Sequence, residues 1–191
     1  MIMKRTFIAI NLSVNSAIQE FLEKIKYDLK DEKIRWVDDA NFHITLFFVG
    51  DTLQEMISRI SKELKLRLDC HSQFELICKG FGIFRNLKST RALWLGFEKS
   101  ELLLGLKHTV DEVMKELGLE FDQNSFSPHL TIGRTKFIKN KNQLNELLNF
   151  YGDQQFQNFT ISDVIFYESI LRSEGPIYTE IEKFNLNISP F

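Results

Sequence analysis

The sequence is poor in the residues that cross-link chains, hold metals or break secondary structure. Among its 191 residues are two cysteines, three prolines, nine glycines and four histidines. Cys70 and Cys78 are spaced for neither a zinc pair nor a redox CxxC motif. They read as two reduced, inert thiols of a cytoplasmic protein. No apolar run approaches the ~20 residues that a membrane span requires. The run Phe7-Ile8-Ala9-Ile10 behind Lys4 and Arg5 is too short for a signal segment and reads as a first strand. No linker-like, low-complexity or single-charge tract divides the chain. Residues 1–191 therefore read as one domain, long enough for two lobes. Neither sign of charge dominates: 24 basic and 26 acidic residues leave a net charge of −2. That excludes a broad electrostatic trap for long nucleic acid. Any such contact must be local, at an end or a short fragment.

What the chain has in quantity is phenylalanine, 18 residues in all. A phenyl ring buries a large apolar area and carries no polar group, so most of these rings belong to a core. Helical periodicity marks Val14, Ile18, Phe21, Leu22, Ile25 and Leu29, with Ser16 and Gln19 as a capping box. A second stripe is Leu53, Ile57, Ile60 and Leu64, with Thr52 and Glu55 as its box. A third runs from Ser100 to Leu117 and stops at Gly118; a short polar helix covers 141–150. Strands are expected at 5–11, 35–37, 43–49 (ended by Gly50-Asp51), 73–78, 80–84, 92–97, 129–135, 155–159, 160–170 and 177–186, with a polar loop at 85–90. Helices among many strands, without a regular βαβ rhythm, predict an α+β fold with antiparallel sheets.

Two segments resemble each other. Asn41-Phe42-His43-Ile44-Thr45-Leu46 and Ser127-Pro128-His129-Leu130-Thr131-Ile132 both read His-apolar-Thr-apolar, 86 residues apart. Side chains alternate across a strand, so His43 shares a face with Thr45, and His129 with Thr131. Ile44, Leu46, Leu130 and Ile132 anchor the opposite faces. Two imidazoles suit a concerted acid–base step, one neutral and one charged near neutrality. Two hydroxyls can hydrogen-bond the free oxygens of a phosphate between them. Opening of a cyclic phosphodiester fits this set, with no metal. Zinc would need a third ligand, and no HExxH or His-x-His supplies it. His71, in a polar loop, and His108, in a helix, have no partner motif and read as structural or solvated.

At these residues the chain resembles the two-histidine (2H) phosphoesterases, and among them the RNA 2',3'-cyclic phosphodiesterases. The likeness is carried by an ordered set of blocks. These are Arg5 to Ile10, Arg35-Trp36-Val37 with the His43 motif, Gly80 to Phe84 with Arg91 to Trp94, Phe126 to Arg134, and Glu168-Ser169 with Gly175 and Tyr178. The resemblance implies two pseudo-symmetric lobes, each a small antiparallel sheet backed by helices, with one histidine from each in the cleft. It implies hydrolysis of a terminal RNA 2',3'-cyclic phosphate to a 2'-phosphate, without metal or cofactor. His43 would be the proton donor and His129 the acceptor, although the motifs' symmetry does not itself fix that direction. Substrates would be RNA 3' ends or short oligonucleotides, tRNA fragments included, and the protein a monomer with no membrane association. Relatives can also run the chemistry in reverse, joining ends through a 2'-5' linkage, and a non-catalytic RNA-end binding module is a further alternative.

Arg134 matches an arginine at the end of the family's second motif, and a guanidinium is a natural phosphate partner, yet strict alternation from His129 puts it on the opposite face. Either the strand bulges or ends before it, or the arginine reaches round the edge, or it is a solvated edge residue. Trp36 and Phe84 are candidates to stack a terminal base, and Trp36 could equally be core. Phe47 stands where a lysine is common, and Arg85 where proline is usual.

Overall fold

The computed structural model describes residues 3–84, 91–119, 125–173 and 175–188. The loop expected at 85–90, with Arg85, lies outside them. The chain runs β1 (Met3–Asn11), α1 (Ser16–Asp28), β2 (Lys33–Trp36), a 3-10 turn (Asp39–Asn41), β3 (His43–Leu53), α2 (Gln54–Leu68), β4 (Phe74–Ile83), β5 (Ala92–Phe97), α3 (Glu101–Glu116), β6 (His129–Phe137), α4 (Lys141–Tyr151), β7 (Gln155–Ile161), β8 (Asp163–Leu171) and β9 (Pro176–Asn185). The fold is α+β, as its composition of elements predicts.

All pairings between these strands are antiparallel. One sheet has four strands in the order β3-β1-β8-β9, the other five in the order β2-β6-β5-β4-β7. Each sheet thus holds one His-x-Thr strand. Helices α2 and α3 pack on each other and back the four-stranded sheet, at β3 and β9. Helices α1 and α4 back the five-stranded sheet. Phe21 of α1 sets its ring against Phe156, Tyr151 and Phe81 at 4.7, 5.0 and 5.6 Å between centroids. The stripe read from the sequence is the buried one: Ile18, Phe21, Leu22 and Ile25. The helix that follows the first strand of one sheet therefore packs on the other sheet. Among the described residues, no helix is long and apolar enough to cross a membrane.

Several boundaries differ from the sequence reading, each for a local reason. Asn15, not Ser16, caps α1, accepting from the Ile18 N–H at 3.2 Å. Thr52 caps nothing. Its hydroxyl is buried, bonded to Thr6 Oγ1 at 2.8 Å and to the Gly50 carbonyl at 2.9 Å, and α2 begins without a side-chain cap. The strand at His43 does not end at Gly50-Asp51, because Gly50 takes a positive φ of 85° and the pairing with β1 resumes beyond it. Likewise 73–78 and 80–84 are one strand. Gly80, at φ 83°, absorbs the kink, and a Cβ there would stand 2.6 Å from the Gly152 carbonyl oxygen. The cysteines are unbridged. Cys70 is exposed, whereas Cys78 is buried, which pushes its thiol up to about 12.

Candidate active site

Strand β3 buries Ile44 and Leu46 and leaves His43 and Thr45 half-exposed on its other face. Strand β6 repeats the arrangement, with Leu130 and Ile132 buried and His129 and Thr131 half-exposed. Both pairs line one cavity of about 460 Å³, together with Trp36, Arg134 and Tyr178. The alternation seen in the sequence is thus the geometry of the cleft.

Both histidines are held in the same way. His43 Nδ1 is 2.7 Å from the Asn41 carbonyl and His129 Nδ1 is 2.8 Å from the Ser127 carbonyl, each two residues back along the chain. A carbonyl only accepts, so each Nδ1 carries the hydrogen and each Nε2 is the nitrogen left for proton exchange. Aromatic rings steady the imidazoles. Phe7 lies at 5.2 Å from His43, and Tyr178 meets it edge-on at 5.3 Å. Phe84 meets His129 edge-on at 4.5 Å.

Burial lowers the pKa of His43 from its ordinary 6.5. The Asn41 carbonyl opposes this, and the charges of His129 and then Arg134 add to the lowering. His129 is lowered for similar reasons: burial first, opposed by Ser127 and assisted by Arg134. Each imidazole thus responds to charge within one shared site.

The threonines differ from their buried counterparts. Thr6 and Thr52 spend their hydroxyls on each other. Neither the Thr45 nor the Thr131 hydroxyl has a hydrogen-bond partner among the described residues, so both are free for a ligand.

The Arg134 conflict is resolved by a bulge. Along β5, Gly96, Trp94 and Ala92 share a face and pair with His129, Thr131 and Arg134 in turn. The register slips between Leu93 and Trp94, leaving Ile132 as the extra residue. One additional residue inverts the alternation, so Arg134 joins the histidine face and lines the cavity. Strand β3 does the same. Asn11, Ala9 and Phe7 of β1 pair with His43, Thr45 and Phe48, with Leu46 the extra residue. Phe47, which strict alternation would place in the cleft, is buried instead, and Phe48 takes the cleft face.

Trp36 lies in the wall and against the core at once. Its ring crosses β6 at Gly133, where a Cβ would sit 3.1 Å from it, and it remains half-exposed to the cavity. Phe84 is not among the cavity-lining residues; its ring packs edge-to-face with His129. Three lining residues had no role in the sequence reading. Lys26 and Arg35 join Arg134 to give the cavity three cations against the single carboxylate of Asp38. Tyr178 stands on the strand farthest from β3 in its sheet and reaches across to His43. The only sequence signal for Tyr178 was its place in the family's last block. Among the described residues, no three His, Cys, Asp or Glu side chains gather into a metal-ligand group.

Comparison with known proteins agrees with this geometry. The profile of the 2'-5' RNA ligase superfamily matches residues 14–169. The RNA 2',3'-cyclic phosphodiesterase of Methanothermobacter thermautotrophicus is 31% identical over 184 residues, 95% of this chain and 98% of its own length. The protein of the same name from Methanocaldococcus jannaschii is 34% identical over 181 residues, 94% of this chain and 99% of its own. Among solved structures, E. coli LigT complexed with 3'-AMP superposes with a TM-score of 0.73 at 20% identity, covering 96% of this chain and 98% of LigT. A Thermus thermophilus protein reaches 0.79 at 21% identity, covering 97% and 99%. The span of the profile match and the identity to full-length relatives place this chain in the 2'-5' RNA ligase superfamily, among the two-histidine phosphoesterases.

Proposed function

We propose that this protein hydrolyses the 2',3'-cyclic phosphate at an RNA 3' end to a 2'-phosphate. The observation that carries the reading is the matched pair of imidazoles. They come from facing sheets, each held through Nδ1, with both Nε2 atoms left for a ligand in one cationic cavity. His129 Nε2 takes a proton from water as its oxygen attacks phosphorus. The bond from phosphorus to the ribose 3'-oxygen breaks, and His43 Nε2 protonates that oxygen. Thr45 and Thr131 donate to the two non-bridging oxygens, and Arg134 offsets the charge that builds on them. The product has a 2'-phosphate and a free 3'-hydroxyl. These groups supply the proton transfers and the charge, so the reading calls for no metal or cofactor. The whole chain acts as one bilobal unit in this account, because each sheet contributes one histidine. The setting we propose is that of a cytoplasmic monomer acting on RNA 3' ends, tRNA fragments among them.

The direct test is turnover of a nucleoside 2',3'-cyclic phosphate in excess EDTA, followed by phosphorus NMR. A 2'-phosphate should form at an undiminished rate. Full loss of turnover in EDTA would overturn the metal-free route, and binding without product would make the cleft a binding module. If a 5'-hydroxyl RNA end supplied together with the cyclic end is joined faster than water reacts, end-joining is the primary activity.

The pKa directions add a second expectation. Both histidines titrate below 6.5, so the bell of kcat/KM against pH for the free enzyme should be centred on the acid side of 6.5. A centre on the alkaline side contradicts it. For stability the sign runs the same way. As pH falls through 6.5 the unfolded chain takes up protons before the folded one, so stability is lost on the acid side and kept above it.

A further inference from the structure

A second recess of about 290 Å³ also borders His43. It shares His43, Thr45, Arg134, Pro176 and Tyr178 with the main cavity and adds Arg5 and Phe48, among others; His129 is not part of it. The reactive phosphate site is therefore the common wall of two spaces.

The contents of this recess are unusual for a surface. Phe48 is 51% exposed, whereas its neighbour Phe47 is 5% exposed. The bulge at Leu46 is what turns Phe48 out, and Phe48 stands in β3 where Arg134 stands in β6, five residues after its histidine. Arg5 lays its guanidinium over the Phe48 ring, 4.7 Å from the centroid. Among the described residues no carboxylate forms an ion pair with Arg5; Glu168 pairs with Lys4 at 2.8 Å. None pairs with Arg134 either. Two unpaired guanidiniums and an exposed ring thus sit beside the phosphate site. That combination fits a phosphodiester and a base: cations for the backbone, and an aromatic or guanidinium plane for stacking.

We propose that this recess binds the nucleotide on the 5' side of the terminal cyclic phosphate, with Arg5 on its phosphodiester and the Phe48–Arg5 pair as its stacking platform. The inference rests on the cyclic-phosphate reading above and makes the preferred substrate an RNA end rather than a free cyclic nucleotide. No base edge is read by hydrogen bonds at this platform, so the preference should be tolerant of sequence.

The test compares kcat/KM for a nucleoside 2',3'-cyclic phosphate with that for a dinucleotide ending in the same group. The wild-type protein should favour the dinucleotide by at least ~10-fold, the scale of one stacked base. Phe48→Ala and Arg5→Gln should each erase most of that preference while the mononucleotide value stays within about 2-fold, which also reports an intact fold. No dinucleotide preference in the wild type, or an equal loss on both substrates in the variants, overturns the proposal. If the wild type turns over neither substrate, the hydrolytic reading fails. The recess is then judged by the Kd of a dinucleotide 2'-phosphate against a mononucleotide 2'-phosphate: a ratio that Phe48→Ala leaves unchanged overturns it.

Discussion

Replacing His43 or His129 by alanine is expected to slow cyclic-phosphate hydrolysis by at least ~10²-fold, the ordinary cost of losing a general acid or base. The loss should fall on kcat rather than KM, because Thr45, Thr131 and Arg134 still hold the phosphate. Neither side chain is part of the buried core, so thermal unfolding should move little. His43 also sits in the field of His129, which burial makes effective. The double variant should therefore lose much less than the product of the two single losses, as groups acting in one step do. The two variants also decide direction. With His129 as base, its removal abolishes the acid limb of the pH profile; with His43 as acid, its removal abolishes the alkaline limb. The opposite pattern would exchange the roles while keeping the mechanism. Less than a few-fold loss for either variant would remove that histidine from the chemistry.

Removing the guanidinium at Arg134 is expected to cost on the order of 10²-fold in kcat/KM, as losing one oriented donor to a developing oxyanion does. This prediction depends on the bulge at Ile132. Without it, Arg134 would face away from the histidines and Arg134→Gln would resemble a surface change. Lys136, exposed further along the same strand, supplies that comparison, and Lys136→Gln should leave kcat/KM within about 2-fold. Arg134→Lys should recover only part of the loss, because an ammonium supplies charge without the planar fork that grips two oxygens. A further signature separates a local electrostatic role from a folding defect. The Arg134 charge lowers both histidines, so Arg134→Gln should shift both limbs of the pH profile toward the alkaline side.

The two histidines and their threonines were legible in the sequence because they follow from alternation alone. A strand that buries Ile44 and Leu46 must expose His43 and Thr45, whatever it pairs with. Arg134 was legible as a candidate through the family block, but its face, like that of Phe48, was not, because a bulge is a property of two strands in register. Nothing in Thr131-Ile132-Gly133 announces that β5 will skip a residue there. Caps failed for a similar reason. Ser16 and Thr52 are good capping residues by type, but Asn15 was one position better placed and Thr52 found a buried partner in Thr6, 46 residues away. Tyr178 is farther still from its contact with His43, in the last strand, where only assembly of the sheet brings the rings together. Phe84, an aromatic beside the motif, suggests a platform for a base, and what the fold adds is its edge-to-face contact with His129.

The path of the chain between the two sheets bears on how the enzyme can move. The backbone passes from one sheet to the other after β1, returns at β3, leaves again for β4 and comes back at β8. Along the way, α1 leaves the first sheet to pack on the second, as α3 leaves the second to pack on the first. A protein that shuts like a book needs a spine of a few flexible residues. Here the covers are sewn together at four places, and prising them apart would strain every stitch at once. Any change in the spacing of the two imidazoles therefore has to be absorbed at all four crossings together.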